Sequence, residues 1–217
     1  MGKPHSEAPK GPVIKPGILP TRFLLTTAAA CLLWLTAGCI APPARQPVQS
    51  LSDLDPDQVL VVGRLELVPP LDEDETGFKS SIWKKYNNKA FVIIDNHARE
   101  ITGEPTQWDY SGRIEAQLGK TFMVRSDQRP FYILGSMIML KAGKTSGEQV
   151  YLPGGFKVDV QPGDQAIYIG TIQYYRNEFF DIDKVVIRDE YNQASLEMKK
   201  RLGSTRPLKK RLVTLLK

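Results

Sequence analysis

Few residues in this chain combine the types and the spacing that catalysis requires. His97 lies two residues after Asp95 and three before Glu100, so either carboxylate could orient it as a general base. The sequence contains no Gly-x-Ser-x-Gly elbow that would supply a serine nucleophile. We therefore interpret residues 95–100 as a polar loop that follows an apolar strand.

A second pattern is similar to a calcium loop. Asp53, Asp55 and Asp57 alternate as the first three ligands of an EF-hand do, but Gln58 follows where glycine is required. This departure favours a solvated acidic segment over a calcium site. The sequence predicts neither a metal nor another cofactor.

Cys39 is the most informative residue because of what precedes it. Residues 23–38 are uncharged and fewer than the ~20 residues that a membrane-spanning helix needs, and the small residues Ala37 and Gly38 lie directly before Cys39. A short apolar run that ends in small residues is typical of a cleaved secretion signal. We predict that residues 1–38 are a signal peptide that is removed. An uncleaved anchor and a cleaved signal without lipid are the alternatives.

The residues that end at Cys39 resemble the lipobox of bacterial lipoproteins: Leu35, Thr36, Ala37, Gly38 and Cys39. Thr36 departs from the family, which most often has leucine there. The resemblance implies that Cys39 is diacylated, freed by cleavage after Gly38, and acylated again on its new amine with a chain such as palmitate. The mature protein would then begin at Cys39, as a lipoprotein anchored in a membrane of the cell envelope.

The residue after Cys39 bears on localisation. In the lipoproteins that this segment resembles, an aspartate there often retains the protein at the inner membrane, whereas this chain has Ile40. The resemblance therefore implies the outer membrane, on its periplasmic leaflet. The remaining cysteine, Cys31, lies in the removed peptide, so the mature chain would have no free thiol and no intrachain disulfide. Cysteine nucleophiles and Cys/His zinc sites would then be excluded.

The segment after the lipobox has the composition of a linker. Residues 39–57 contain four prolines among small polar residues and show no apolar period. At ~3 Å per residue, a partly extended segment of this length could hold a domain up to ~55 Å from the bilayer. We predict that residues 39–57 are a Pro-rich tether and that the folded domain begins at residue 58.

The domain is predicted to be mainly β. Apolar, β-branched segments separated by Gly- and Pro-containing turns lie at 59–68, 91–94, 113–118, 121–124, 131–140, 149–152, 156–160, 166–175 and 184–187. About nine short strands with no helices between them indicate an antiparallel β-sandwich over residues 58–188. Residues 156–172, with a Pro-Gly turn between two strands, resemble prealbumin-like β-sandwich modules of envelope proteins.

Helix is predicted only at the C-terminal end. Over residues 189–202, Tyr191, Ala194, Met198 and Leu202 form an apolar stripe, and Gly203 follows in the position of a helix C-cap. A second short amphipathic stretch is predicted after Pro207. Together these predictions describe residues 189–217 as a basic, helical C-terminal segment.

Charge is distributed unevenly along the chain. Residues 198–217 carry eight basic residues and no acid, whereas residues 39–197 sum to a net charge of −6. Lys209, Lys210 and Arg211 could contact anionic lipid or an acidic partner. Alternatively, this segment packs on the sheet and exposes its lysines to water. Nucleic acid is not an expected partner.

Aromatic clusters are the remaining candidates for binding. Trp83, Trp108, Tyr174 and Tyr175 lie beside polar residues and could form a platform for glycan rings or a contact for a protein partner. The leading hypothesis is a non-enzymatic lipoprotein whose β-sandwich serves as an adaptor in a cell-envelope assembly. The alternative is a module that binds peptidoglycan or another glycan, and an enzyme acting on saccharides is a third, weaker hypothesis.

Overall fold

The computed structural model describes residues 43–97, 110–143, 146–203 and 206–216. These residues form a 3-10 turn and three helices, which are Leu51–Asp53, α1 (Glu73–Thr76), α2 (Ser81–Lys84) and α3 (Tyr191–Leu202). The strands are β1 (Gln58–Val68), β2 (Lys89–Asp95), β3 (Gly112–Gln117), β4 (Thr121–Asp127), β5 (Phe131–Lys141), β6 (Gly147–Val158), β7 (Ala166–Arg176), β8 (Ile182–Arg188), β9 (Lys209–Lys210) and β10 (Thr214–Leu215).

The strands form two sheets, which confirms the predicted mainly β fold with a C-terminal helix. Sheet I has the order β4-β1-β7-β8, with β9 paired to β7. Sheet II has the order β10-β6-β5-β2-β3. Sheet II is antiparallel, but sheet I is mixed because β1 and β7 run in the same direction, with Leu60 opposite Ala166. The sequence pattern predicts only antiparallel pairs, so the parallel β1–β7 pair corrects that prediction.

The main core lies between the two sheets. Alternate residues of each strand point inward, and the large buried side chains include Leu65, Ile94, Phe131, Ile138 and Phe156. A second apolar cluster lies on the outer face of sheet I, where Ala194 and Met198 of α3 pack on Leu60, Met123 and Tyr168. The predicted apolar stripe of α3 is therefore confirmed. Gly203 ends the helix in the left-handed conformation, and its amide donates to Lys199 O.

Residues 147–158 form one strand, where the sequence analysis predicted two. A β-bulge at Pro153, Gly154 and Gly155 shifts the register with β5 between Ile133 and Gly135. At Gly154 a Cβ would lie 2.2 Å from the backbone of Leu134, so only glycine fits there. The Pro-Gly-Gly sequence thus bends the strand without ending it.

The N-terminal strap (residues 43–57) corrects the predicted tether. The amide of Arg45 donates to Arg113 O of β3 at 2.8 Å, and the amide of Val48 donates to Met123 O of β4 at 3.0 Å. Val48 is buried in the outer apolar cluster of sheet I. The tether prediction for 39–57 is wrong from residue 43 onward, because this segment finds backbone partners on two edge strands. Residues 39–42 lie outside the described residues.

The C-terminal strap (residues 206–216) is extended, so the prediction of a second helical stretch there is wrong. The amide of Arg211 donates to Tyr168 O at 2.8 Å, and that of Val213 donates to Ile169 O at 3.0 Å. Leu208 and Val213 are buried, whereas Leu215 is 70% exposed. The strap pairs first with β7 of sheet I and then with β6 of sheet II. An extended backbone can form these hydrogen bonds with the strands, whereas a helix could not.

The straps therefore cross between the sheets on opposite sides of the sandwich. The N-terminal strap joins β3 to β4, and the C-terminal strap joins β7 to β6. The ends of the sandwich also differ. We call the end that contains Pro43, Gln58 and Asp127 the proximal end, and the end that contains α1, α2 and the turns at 119–120 and 177–181 the distal end.

Candidate functional site

A basic groove of about 270 Å³ lies at the proximal end, beside Pro43. The N-terminal strap, the start of β3 and the end of β4 form its walls, and we call it the proximal groove. Three guanidinium groups line it, those of Arg45, Arg125 and Arg129, with one carboxylate, that of Asp127. Arg129 pairs with Asp127 at 2.8 Å. The groove therefore concentrates more positive than negative charge.

Arg45 is the most enclosed cation of the proximal groove. Its guanidinium lies 5.0 Å from the centre of the Phe131 ring, a cation–π geometry. Burial lowers the pKa of Arg45. The negative charge of Asp127 acts against this shift, and the positive charge of Arg129 adds to it. Within the described residues neither Arg45 nor Arg125 has an ion pair or a side-chain hydrogen bond. Both side chains are available to an anion that enters the groove.

A larger groove of about 530 Å³ lies between α3 and the β3–β4 turn. At its base, Arg64 of β1 donates to Glu197 at 2.8 Å and to Thr121 at 3.2 Å. Arg64 also lies 3.3 Å from Glu66 and 3.5 Å from Glu190. Because several carboxylates surround one guanidinium, this cluster serves to hold α3 on sheet I.

Glu197 is the carboxylate of that cluster whose pKa departs from its usual range. Burial alone would raise the pKa of Glu197. Hydrogen bonds from Thr121 and Gln193 and the charge of Arg64 lower it by a larger amount, so the net shift is downward. Glu197 therefore stays ionised at neutral pH. Arg201, one turn further on α3, donates to Thr121 O at 2.7 Å and fastens the same helix to β4.

Arg176 organises the distal end. Its buried guanidinium donates twice to Glu75 at 2.8 Å and also to the carbonyls of Pro69 at 3.0 Å and Pro70 at 3.1 Å. The ring of Phe180 covers it, with its centre 4.2 Å from the guanidinium carbon. One side chain thus fixes the loop after β1 and the turn after β7.

Trp83 belongs to a run of aromatic rings at the distal end. It stacks on Phe78 with ring centres 5.9 Å apart, and Tyr86 lies 5.7 Å away on the way to Phe91. The stacking covers one face of the half-buried indole. Trp108, which was predicted to act with Trp83, lies outside the described residues.

The two tyrosines predicted as contact residues differ in burial. Tyr174 is fully buried between the sheets, so its predicted contact role is wrong: it follows the inward alternation of β7. Burial raises the pKa of its hydroxyl. Tyr175 is half-buried on the opposite face of sheet I, and its hydroxyl donates to Gln173 at 3.3 Å.

The three basic residues predicted in the C-terminal tail make ion pairs inside the protein. Lys209 lies 2.8 Å from Asp164, and Arg211 lies 3.0 Å from the same carboxylate. Lys210 pairs with Asp189, and its hydrogen bond lowers the pKa of that carboxyl. Lys209 and Arg211 thus hold the C-terminal strap against the turn before β7, and Lys210 holds it against the connection between β8 and α3.

The structure brings His97 close to one of its two predicted partners. Nδ1 of the exposed His97 lies 3.6 Å from the buried carboxylate of Asp95, which also accepts the His97 amide at 3.0 Å. The hydrogen bond from the His97 amide to Asp95 belongs to a turn after β2, as the loop interpretation predicted. Glu100 lies outside the described residues.

The described residues contain neither a cluster of potential metal ligands nor a helix that could span a membrane. There, no group of three or more His, Cys, Asp or Glu side chains is arranged to hold a metal ion. Asp53, a residue of the calcium-like pattern, instead accepts the backbone amide of Ser50 at 2.9 Å. No helix in the described ranges combines the length and the apolarity of a membrane-spanning helix.

Four residues of these clusters and grooves are not indicated by local sequence patterns: Arg45, Arg64, Arg125 and Asp164. Their partners are distant in sequence or belong to the segment that was interpreted as a tether, so no local spacing identifies them. The charge of Arg64 within an apolar strand was the one available signal. Cys39 lies outside the described residues. No protein-family model, curated protein or solved structure matches this chain.

Proposed function

We propose that this protein is a lipid-anchored, non-enzymatic β-sandwich of the bacterial cell envelope. In this proposal Cys39 carries the acyl chains, the protein lies at the periplasmic leaflet of the outer membrane, and the domain is an adaptor for a protein partner. The observation that supports it best is the position of Pro43 at one end of the sandwich, four residues after Cys39.

In this proposal, the short connection between Cys39 and Pro43 would decide which end of the sandwich faces the membrane. Four residues span at most about 14 Å when fully extended. A lipid on Cys39 would therefore hold the proximal end near the bilayer, and the distal end would point away from it. The connection from Cys39 to Pro43 is therefore shorter than the predicted ~55 Å tether.

The distal end has surface features of a protein contact. Ile82 on α2 is 68% exposed and Phe179 in the turn after β7 is 77% exposed, and both belong to this end. Large apolar side chains at the surface are characteristic of interaction sites when they are grouped. The Arg176–Glu75 pair holds the turn that carries Phe179 against α1, so little ordering of that turn would be needed on binding.

The lipid is tested by metabolic labelling in a bacterial host with an alkyne analogue of palmitate. We expect Cys39→Ser to abolish labelling and processing, because one cysteine carries all the acyl chains. Cys31→Ser is the matched control and should be labelled like the parent chain. Full labelling of Cys39→Ser would contradict the proposed anchor.

The adaptor role is tested by affinity purification of the lipidated protein in mild detergent. We expect a stoichiometric protein partner that is lost with Ile82→Ser and Phe179→Ser. Leu196→Ser is the control, since Leu196 is 69% exposed on α3 and belongs to neither α2 nor the turn after β7. Equal recovery with all three variants would place the contact elsewhere, and recovery of background proteins alone would contradict the adaptor role.

A further inference from the structure

We propose that the proximal groove binds the phosphate of an anionic phospholipid headgroup, so that the domain contacts the bilayer directly as well as through its anchor. The orientation of the groove toward the membrane rests on the proposed lipidation of Cys39. The anion-binding chemistry of the groove rests on its own side chains.

Two unpaired guanidinium groups are the first support. Arg45 and Arg125 both line the groove and lack an ion pair within the described residues, and Arg45 is further desolvated against Phe131. A partly buried cation without a counterion is unfavourable. Arginine binds phosphate oxygens through paired N–H donors, which makes a phosphate monoanion a suitable occupant.

The charge of the groove also favours an anion. Asp127 is its one acidic lining residue, and Arg129 already pairs with that carboxylate at 2.8 Å. Arg45 and Arg125 therefore remain as the net positive charge. Such a concentration of basic groups attracts anionic lipid surfaces, by about 1 kcal/mol for each basic residue near the headgroups.

A third feature favours an occupant that offers a hydrogen-bond donor beside its phosphate. The side-chain oxygen of Asn96, which lines the same groove, is buried and has no hydrogen-bond donor among the described residues. Phosphatidylglycerol carries hydroxyl groups beside its phosphate and can donate to this oxygen. The phosphate and its neighbouring hydroxyls together would satisfy Arg45, Arg125 and Asn96.

The connection to Cys39 places this lipid within reach. Pro43 forms part of the groove wall and would lie at most about 14 Å from the acylated residue. The headgroup layer is itself several ångströms thick on each side of the hydrocarbon core. A groove at this position would enter the headgroup layer, where phospholipid phosphates are concentrated.

The test uses residues 39–217 with Cys39→Ser, so that neither the signal segment nor a lipid contributes to binding. Both apolar clusters lie within residues 43–216, so this chain retains the whole core. Its affinity is measured by co-sedimentation with vesicles of phosphatidylcholine, alone or mixed with phosphatidylglycerol. The variants are Arg45→Gln, Arg125→Gln and the double variant. Arg188→Gln on β8, at the far edge of sheet I from β4, is the control for loss of one charge.

We expect binding to the vesicles that contain phosphatidylglycerol, weakened about fivefold by Arg45→Gln or Arg125→Gln and more by the double variant. Arg188→Gln should bind as the parent does. Thermal unfolding of each variant shows whether it is folded, and Arg125→Gln removes no core contact, so it remains informative if Arg45→Gln is unstable.

Three results would overturn the inference. The first is undiminished binding of the double variant, and the second is an equal loss with Arg188→Gln, which would indicate nonspecific attraction. The third is saturable binding of inorganic phosphate at the groove without discrimination between the two vesicle types, which would identify a free anion as the ligand. Because this chain carries no anchor, these outcomes are independent of whether Cys39 is lipidated in cells.

Discussion

The carboxylate of Asp164 lies 2.8 Å from the ammonium group of Lys209, although 45 residues separate them. Arg211 donates to the same carboxylate at 3.0 Å, and the Gln161 amide donates to it at 3.0 Å. Asp164 is itself inaccessible to solvent. A single acid in the turn before β7 therefore fastens the C-terminal strap to the body.

The stability that Asp164 provides should depend on pH. Burial raises the pKa of Asp164, but hydrogen bonds from Arg211, Lys209 and the Gln161 amide lower it from 3.8 to about 2. The pKa of Asp164 is lower in the folded than in the unfolded state. Its contribution to the free energy of unfolding is therefore nearly complete above about pH 4 and is lost as the pH falls toward 2. We expect Asp164→Asn to lower the free energy of unfolding by about 2 kcal/mol at neutral pH and by roughly half as much at pH 3. Urea unfolding at both pH values measures this, with exposed Asp183→Asn as control. An equal loss at both pH values would show that the charge is not responsible.

The leucines of the C-terminal strap should differ sharply in their effect on stability. Leu208 is buried in the outer apolar cluster of sheet I, whereas Leu215 is mostly exposed. Leu208→Ala should lower the free energy of unfolding by about 3 kcal/mol, because it leaves a cavity. Leu215→Ala should change it by less than about 0.5 kcal/mol. Urea denaturation of the two variants measures the difference, and equal effects would mean that the strap is not packed as described.

The N-terminal strap should contribute to stability, contrary to the behaviour of a tether. Val48 is buried against Met123 of β4. Val48→Ala should therefore lower the free energy of unfolding by about 2 kcal/mol, and removal of residues 43–57 should lower it further. The neighbouring Gln49 is exposed, so Gln49→Ala is the control and should leave the free energy of unfolding almost unchanged. A chain that begins at residue 58 and unfolds at the same temperature as the parent would restore the tether interpretation.

Two buried tyrosines should respond in opposite ways to loss of their hydroxyls. The hydroxyl of Tyr168 accepts the Glu190 amide at 2.8 Å and donates to Arg188 O at 3.3 Å. That of Tyr174 has no hydrogen-bond partner by geometry within the described residues. Tyr168→Phe should lower the free energy of unfolding by about 1–2 kcal/mol, while Tyr174→Phe should leave it unchanged or raise it by about 1 kcal/mol. A loss with Tyr174→Phe would reveal a partner such as Ser136.

Replacing the guanidinium of Arg176 by the ammonium group of a lysine should destabilise the distal end. Arg176→Lys keeps the charge but loses the paired bonds to Glu75 and those to Pro69 and Pro70, so we expect a loss of about 3 kcal/mol. Arg188→Lys on exposed β8 is the matched control. Urea unfolding gives the energies, and limited proteolysis should show earlier cleavage within residues 69–88 of the Arg176 variant. Identical cleavage patterns would contradict a role for Arg176 in fixing that loop.

The sequence predicted the strands and α3 well because their side chains follow regular periods. β3 alternates between buried and more exposed residues, β1, β5 and β7 are apolar segments bounded by turns, and the stripe from Tyr191 to Leu202 has helical spacing. The strap at 43–57 has no such period, and its prolines are typical of linkers. It is ordered because β3 and β4 offer hydrogen-bond partners for its backbone. These partners are distant in sequence, so the local pattern could not reveal them.

The candidate sites were less predictable for the same reason. Asp164 follows a Pro-Gly turn and looks like an ordinary turn residue until the C-terminal strap returns to it. Tyr174 and Tyr175 are adjacent, and only the register of β7 decides which faces the core. Arg45 was part of a segment assigned to solvent, so its position in a groove could not be inferred from its neighbours.

The few backbone hydrogen bonds of the N-terminal strap also have a mechanical consequence. Tension applied through Cys39 would reach the bonds of Arg45 and Val48 before it reached the long ladders of β1. Those bonds would open one after another, from residue 43 toward residue 57. Their release would lengthen the connection by about 50 Å while both sheets stayed intact. In the proposed lipid-anchored adaptor, the N-terminal strap would then extend under load when the membrane and a bound partner move apart.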